Sequence, residues 1–576
     1  MEIVKEKVEL ALENCPLVHN YKEQPLAYGT AGYRTKGHLL PPVASRVVFV
    51  ALLRLWWCNK NNVNKKINGG SCLGIMVTAS HNPAEDNGFK IVDFNGEMLD
   101  GNWEIWCTKA ANASTADDLM KILTDCASHF DVDINEDNNK YGNFQLGRDT
   151  RDSGADIIKH MEATLKIVGC DYLYHDQLTT PQLHFLVKEA NFNTSLPAEK
   201  GEFSLALYYD SLIQSFKKLC ELCDLDIPQN PRKLAVDVAN GVGFCGFKGL
   251  VEYSKNSGDD VLGKYFDFVL LNDKIEDPES LNHNCGADFA KVNNKPSDAM
   301  RAWCDEQSDD SYHLYCVDGD ADRIVAFHNA KGTFSLIDGD RISILYAMFI
   351  GKCLKNNNDL FDIAIVQTGY ANGASTNYVK EHLKLPCYLS NTGIKHLHAI
   401  AKKHDIGVYF EANGHGTSLI NLEKCKNAAD SSNPDNVKLL EILKEMSCVL
   451  SQICGDAIGD LLMCELAVSF LQISFGEWLS AFSDFPSRLF KVTVKNPKII
   501  VTDSANETII LQPEGMQKEI DAIVQSIKGD SGECVRAFAR PSGTEPVVRI
   551  YCESSNTEMC ETLAKKVEEV VLKFCN

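Results

Sequence analysis

Short apolar runs alternate with helical patterns along most of the 576 residues, and this rhythm limits the architectures open to the chain. Gly74 to Val77, Phe144 to Gly147, Leu234 to Val238, Tyr312 to Val317, Ile363 to Gln367 and Gly407 to Phe410 read as strands. Several are followed by helical stretches such as Ala155 to Val168 and Gly393 to Lys403. That alternation predicts parallel sheets flanked by helices. The C-terminal part differs. Lys491 to Val494, Ile499 to Val501 and Val547 to Tyr551 read as strands and Glu558 to Phe574 as a closing helix, which predicts a smaller α+β domain. At about 150 residues per domain, the length predicts roughly four domains. Asn59 to Gly70 and Glu423 to Asn436 are polar, and both read as surface loops, the first of them mobile.

Charge and cysteine usage narrow the class. The net charge of −22 argues against nucleic acid, whose binding surfaces need clustered Lys and Arg. The same charge repels anionic ligands, so a phosphate-binding site would need local arginines, a cation or backbone N–H groups. Val43 to Cys58 is apolar but is interrupted by Arg46 and Arg54, which predicts an amphipathic core helix instead of a membrane span. Leu461 to Phe475 is too short to span and carries Glu465. Met1 to Lys7 lacks the apolar core of a signal peptide. The 22 cysteines are scattered, and Cys220 with Cys223 gives the one Cys-x-x-Cys spacing, on a predicted helix. They read as reduced thiols of a cytoplasmic protein.

Four segments carry candidate chemistry. Met76-Val77-Thr78-Ala79-Ser80-His81-Asn82-Pro83 runs from a strand into a turn, where a nucleophilic serine is exposed and held. On spacing alone, an ordinary surface turn is the simpler reading. Asp318, Asp320 and Asp322 alternate after the strand Tyr312 to Val317, a spacing that converges on a hard cation or is simply a solvated acidic turn. A calcium EF-hand is excluded, because its sixth position is Arg323 and its twelfth Asn329. Glu411, Asn413 and His415 form a polar loop suited to sugar hydroxyls, or a Gly-rich turn with incidental polar groups. Arg540-Pro541-Ser542-Gly543-Thr544, with Arg549, offers hydroxyls, a close-approach glycine and guanidinium groups to a phosphate; as a bare pattern it is only a turn. Lys90 and His81 are candidate bases, though such residues are more often a solvated charge and a structural imidazole. Asp237 to Gly243 reads as a strand-to-helix turn without a direct role.

In this order, the four segments resemble the α-D-phosphohexomutase superfamily, over nearly the whole chain from Tyr28-Gly29-Thr30-Ala31-Gly32-Tyr33-Arg34 to Arg549. Gly147-Arg148-Asp149-Thr150-Arg151 follows the serine loop, where most of the superfamily has it before. That rearrangement resembles the eukaryotic phosphoacetylglucosamine mutases, as do Val366 to Gly373 and Thr392 to His396. One departure is Asp176, where the family usually has Gly.

The resemblance implies three similar α/β domains with mixed sheets plus a smaller C-terminal α+β domain around a central cleft. The expected boundaries are 1–200 for the phosphoserine loop, 201–330 for the metal loop, 331–460 for the sugar loop and 461–576 for the phosphate loop. It implies reversible interconversion of N-acetylglucosamine 6-phosphate and 1-phosphate, through a phosphoserine and a 1,6-bisphosphate, toward UDP-N-acetylglucosamine. Ser80 would carry the phosphoryl group, with Mg²⁺ held by Ser80, Asp318, Asp320 and Asp322. Arg323 would add a fixed positive charge, Lys90 would act as acid and base, and His81 would orient the loop. Arg34, Lys395, His396, Glu411, Asn413 and His415 would face the sugar, and Arg540, Ser542, Gly543, Thr544 and Arg549 its second phosphate. A phosphosugar is the expected partner, with no nucleic acid, membrane or obligate protein partner. The competing expectations are a phosphoglucomutase or phosphomannomutase, and a catalytically silent phosphosugar-binding protein.

Overall fold

The computed structural model describes residues 3–13, 15–17, 25–29, 31–63, 70–134, 142–193, 204–309, 311–355, 358–529, 534–542 and 547–576. They fall into two compact units, Met1–Leu336 with Glu445–Leu466, and Ile337–Lys444 with Ala467–Asn576.

In the first unit, β1 (Tyr33–Lys36), β2 (Cys72–Val77), β3 (Asp86–Val92), β4 (Asn143–Arg148) and β5 (Asp171–Gln177) form a sheet in the order β1-β3-β2-β4-β5. β2, β4 and β5 are parallel, and β3 returns antiparallel to β2. The next sheet is built from β6 (Arg232–Asp237), β7 (Phe266–Leu271), β8 (Tyr312–Val317), β9 (Ile324–Ala330) and β10 (Thr333–Ile337), in the order β10-β9-β8-β6-β7. Here β6, β7 and β8 are parallel and β9 returns antiparallel to β8.

The second unit repeats the plan. β11 (Ile363–Thr368), β12 (Cys387–Ser390) and β13 (Ile406–Phe410) are parallel, and β14 (Gly416–Ile420) returns antiparallel to β13. The remaining strands are β15 (Ser487–Thr493), β16 (Val501–Thr502), β17 (Ile510–Gln512), β18 (Val535–Pro541) and β19 (Val547–Ser554). β15, β19 and β18 form an antiparallel sheet, and β16 with β17 a two-stranded ribbon. Helices Met516–Lys528 and Thr557–Cys575 cover this sheet, burying Met516 and Ile520 on one, and Leu563, Val567 and Val571 on the other. That four-residue spacing places each set on one helix face. The architecture is three similar α/β domains with mixed sheets and a smaller α+β domain.

The shared plan positions three loops. Each is the hairpin link between a parallel strand and its antiparallel return: 78–85 between β2 and β3, 318–323 between β8 and β9, and 411–415 between β13 and β14. All three lie at the carboxyl ends of parallel strands, where open α/β sheets bind ligands.

Four sequence expectations need correction. The helix Pro41–Lys60 is not amphipathic, because every residue from Pro41 to Trp56 is buried. It packs against helices Gly101–Ala111, Ala116–His129 and Asp152–Val168, which leave no face for water. Its arginines are buried and paired. Arg46 donates to the carbonyls of Pro42, Ala113 and Cys15 at 2.8, 3.0 and 3.2 Å, and Arg54 makes bonds of 3.0 and 2.7 Å to the Asp93 carboxylate. It is the one described helix long and apolar enough to cross a membrane. Glu423 to Asn436 is largely helical, with Leu422–Ala428 capped by the Asn421 side chain and a second helix starting at Pro434. An exposed polar helix needs no apolar stripe. Asn59 and Lys60 end a helix, while 64–69 of the expected loop lie outside the described residues. Ile499 ends a 3₁₀ turn opened by Pro497, and the strand is confined to Val501–Thr502.

The segment Glu445–Leu466 crosses the expected boundary at 460 and belongs to the first unit. Glu465 is buried there between Arg232 at 3.0 Å and His313 at 2.7 Å, and Asp456 accepts bonds of 2.8 and 2.9 Å from the Tyr208 hydroxyl. All 22 cysteines are free thiols.

Candidate active site

Ser80 sits in the first loop with φ +55°, the left-handed conformation, which costs a serine on the order of 1–3 kcal/mol unless its surroundings hold it. They do. The Ser80 N–H donates to Thr78 Oγ1 at 2.9 Å, and that hydroxyl donates to Asp149 at 2.7 Å. Asp149 pairs with Arg151 at 3.0 Å, both side chains being fully buried. The Arg151 guanidinium also donates to the carbonyls of Ser80, Asn82 and Asp86 at 3.0, 2.8 and 2.7 Å, and to that of Pro83. Asn282 adds a bond to Ser80 O at 2.8 Å. With the main chain anchored through its carbonyls, Ser80 Oγ is directed at the acidic loop and donates to Asp318 Oδ2 at 2.8 Å. Arg151→Ala leaves Asp149 buried without its partner and should cost about 3–5 kcal/mol of stability. Chemical denaturation checks this. Arg151→Lys should recover only part, because one ammonium cannot serve several carbonyls in the geometry of a guanidinium.

One oxygen from each of Asp318, Asp320 and Asp322 lies within 4.8 Å of the others, and all three residues are buried. Backbone N–H groups of Asp322 and Arg323 fix Asp318 Oδ1 at 3.1 and 3.2 Å. Thr180 Oγ1 donates to Asp320 Oδ2 at 2.7 Å, while Asp320 Oδ1 is buried without a hydrogen-bond partner among the described residues. Burial, then Asp322 and Asp320, push the Asp318 carboxyl well above the usual range. Converging buried carboxylates with an unsatisfied oxygen and no soft donor fit a hard divalent cation such as Mg²⁺. The loop fits closely against its neighbours: a Cβ on Gly319 would stand 2.7 Å from Ser80 O, and one on Gly241 only 2.4 Å from Gly319 O. The turn after β6 therefore supports the acidic loop through its backbone.

Cationic groups surround this pair of loops. Lys90, on β3 opposite Met76, has Nζ at 3.7 Å from Asp322 and 3.9 Å from Asp320. Arg323 reaches Asp318 at 3.6 Å, Asp288 at 3.7 Å and Asp322 at 3.8 Å. Arg34 donates to Asn82 Oδ1 at 3.2 Å, and burial beside Arg323 draws its pKa down. Burial, followed by Arg323 and Arg34, lowers His81 to about 2, so its imidazole stays neutral. Asp176 adopts φ +60° and pairs with Arg148 at 2.7 Å, so an aspartate takes up the left-handed backbone conformation for which glycine was expected.

The second unit gathers the other candidates. Glu411 N–H donates to His415 O at 2.8 Å, and His415 N–H to Asn413 Oδ1 at 3.1 Å, closing a tight loop. Asn413 Nδ2 donates to Glu411 Oε2 at 3.3 Å, and Gly393 N–H to Glu411 Oε1 at 3.1 Å. That last bond joins the loop to the start of helix Ile394–Ala401, whose first turn carries Lys395 and the exposed His396. Arg540 on β18 faces Arg549 on β19, and Ser542 N–H donates to Val547 O at 2.9 Å. Gly543 and Thr544 lie outside the described residues.

Thus Ser80, His81, Lys90, Arg34, Arg323 and the three aspartates come together in one unit, and Glu411, Asn413, His415, Lys395, His396, Arg540, Ser542 and Arg549 belong to the other. The sequence alone assigns no role to Thr78, Asp149, Arg151, Thr180 or Asn282. Asp149 and Arg151 stood in the Gly-Arg-Asp-x-Arg segment, but nothing local announced their burial.

The fold and these loops define a phosphohexomutase. The matched family profiles are phosphoglucomutase/phosphomannomutase domain I over 66–118 and C-terminal domain over 489–570, and domains II and III of phosphoacetylglucosamine mutase over 204–325 and 338–473. A human phosphoacetylglucosamine mutase is 36% identical over 553 residues, 95% of this chain and 94% of its own length. One from Candida albicans is 35% identical, covering 94% of this chain and 96% of its own. A crystal structure of an N-acetylglucosamine-phosphate mutase, an α-D-phosphohexomutase superfamily member in its substrate complex, aligns at TM-score 0.84 and 33% identity over 99% of this chain and 100% of its own. The Aspergillus fumigatus N-acetylphosphoglucosamine mutase with GlcNAc-6P and magnesium aligns at TM-score 0.82 and 34% identity over 99% of both chains. The chain belongs to the phosphoacetylglucosamine mutase family of isomerases.

Proposed function

We propose that the chain interconverts N-acetylglucosamine 6-phosphate and N-acetylglucosamine 1-phosphate by moving a phosphoryl group on and off Ser80, with a 1,6-bisphosphate intermediate. The observation that carries this is the Ser80 hydroxyl, 2.8 Å from Asp318 at the edge of three buried carboxylates. Phosphoryl transfer demands positioning and charge neutralisation more than covalent assistance. Asp318, Asp320 and Asp322 would hold Mg²⁺, which supplies neutralising charge to the phosphoryl oxygens when bound. Arg323 and Arg34 add fixed positive charge, which works against the field of a chain of net charge −22.

In the first half-reaction, a sugar hydroxyl attacks the phosphorus and the bond to Ser80 Oγ breaks. Lys90 gives a proton to the departing Ser80 Oγ and takes up the proton of the attacking sugar hydroxyl. The reverse half-reaction uses the other phosphate of the turned intermediate. His81, neutral and poorly basic, orients the loop. Within the second unit, Glu411, Asn413, His415, Lys395 and His396 would bind the sugar, and Arg540, Ser542, Gly543, Thr544 and Arg549 the phosphate that stays. The 1-phosphate product suits activation to UDP-N-acetylglucosamine. A coupled assay tests the substrate class. Turnover should be at least about tenfold faster, on the order of 1.4 kcal/mol, with N-acetylglucosamine phosphates than with glucose or mannose phosphates. Equal or faster turnover of the unacetylated sugars would favour a phosphoglucomutase or phosphomannomutase.

A further inference from the structure

Glu507 lies in the link between β16 and β17, a turn pinned internally by Asp503 Oδ1, which accepts from Ala505 N–H at 2.7 Å, and by Asn506 Oδ1, which accepts from Thr508 N–H at 3.1 Å. The turn is docked on the segment leading to Lys395: Glu507 N–H donates to Asn391 Oδ1 at 2.9 Å, and Asn391 Nδ2 to Ser504 O at 2.7 Å. The carboxylate spans two partners. Oε1 accepts from Thr392 N–H at 2.9 Å and from the Thr392 hydroxyl, while Oε2 accepts from Arg540 Nη1 at 2.6 Å. Arg540 Nε in turn donates to the Tyr370 hydroxyl at 2.9 Å. The ion pair is well shielded, with side chains 12% and 21% exposed.

A guanidinium grips a phosphate through two adjacent N–H groups, either Nε with Nη2 or Nη1 with Nη2. Tyr370 engages the first edge and Glu507 the second. We infer that Glu507 is a positioning residue that competes with the substrate's non-transferred phosphate for Arg540 and so sets how readily that phosphate is released. The inference rests on the proposed reaction, in which the bisphosphate must leave the clamp, turn and re-enter within each cycle. A clamp that holds a phosphate group without a competitor would trap this intermediate. A carboxylate held by Thr392, on a turn held by Asn391, makes release an exchange of one anion for another at Arg540, so the guanidinium is never left bare in a shielded site. Because Gly393, next to Thr392, donates to Glu411, the same carboxylate ties the phosphate arginine to the sugar loop.

Glu507→Gln in the full-length enzyme keeps the length of the side chain and its acceptor for Thr392 but removes the charge. The expected result is a Michaelis constant about fivefold lower for both the 6-phosphate and the 1-phosphate, the factor that roughly 1 kcal/mol gives, together with a lower kcat. Calorimetry with N-acetylglucosamine 6-phosphate should show the same tightening, and Arg540→Ala the opposite shift. An unchanged or raised Michaelis constant, or an unchanged kcat, would overturn the inference and leave Glu507 as a mere support for Arg540. If Glu507→Gln does not fold, Glu507→Asp, too short to hold Thr392 and Arg540 together, should lower both constants to a smaller extent, and constants unchanged from wild type would overturn it. A wild-type enzyme that neither binds nor converts the acetylated sugar phosphates would instead remove the proposed function, an outcome distinct from any ranking of the variants.

Discussion

Ser80→Ala should lower mutase turnover by a factor on the order of 10³ or more, as removal of a covalent nucleophile does in other enzymes, while leaving the fold intact. The serine side chain is small, and its one described side-chain bond is to Asp318. The bonds that hold the loop run through backbone groups of residues 80, 82, 83 and 86 to Thr78, Arg151 and Asn282, and alanine keeps them all. The variant should therefore unfold at nearly the wild-type denaturant midpoint and bind the 6-phosphate with similar affinity. A fall in affinity as large as the fall in turnover would mean that the hydroxyl serves in binding instead of transfer.

Asp320→Asn separates stability from activity. Three carboxylates buried within 4.8 Å repel one another, and each also bears a desolvation cost. Asparagine keeps an oxygen to accept from Thr180 and removes one charge. In the presence of a chelator the variant should melt at or above the wild-type temperature. With Mg²⁺ the order should reverse, because binding to the folded state alone stabilises it by mass action and the variant has lost a ligand. Turnover should drop on the order of a hundredfold or more, in line with the loss of an electrostatic stabiliser of a charged transition state. Chelation of the wild type should abolish turnover and added Mg²⁺ restore it. Thermal unfolding and turnover that are both indifferent to chelator and to Mg²⁺ would remove the metal from the account.

The alternation of strand and helix was legible because parallel core strands are mostly apolar: Tyr312–Val317 and Ile363–Thr368 are almost wholly buried and bounded by polar turns. Asp318, Asp320 and Asp322 were legible for the same reason, since a strand that ends in alternating carboxylates sends them into one hairpin link. Arg151 and Asp149 were not, because a buried ion pair looks locally like a solvated one and its partners lie 65 to 71 residues away in sequence. Arg46 and Arg54 misled for the same reason, making a helix that is buried all round look amphipathic. Glu465 pairs with His313 and Arg232, 152 and 233 residues distant, so the return of Glu445–Leu466 to the first unit leaves no pattern along the chain. Leu422–Ala428 was hidden because an exposed helix held by an asparagine cap and its own backbone carries no hydrophobic period. Glu507 gave no signal at all: its meaning lies in Thr392 and Arg540, which only the fold brings to it.

In the proposed reaction Ser80 itself carries the phosphoryl group. Incubating the enzyme with Mg²⁺ and phosphate-labelled N-acetylglucosamine 1,6-bisphosphate, then mapping the peptides by mass, tests it most directly. One labelled phosphate is expected, on Ser80, which is lost when unlabelled N-acetylglucosamine 6-phosphate is added and absent from Ser80→Ala. Label on another residue of the active enzyme, or label on Ser80 that does not turn over with substrate, would contradict it.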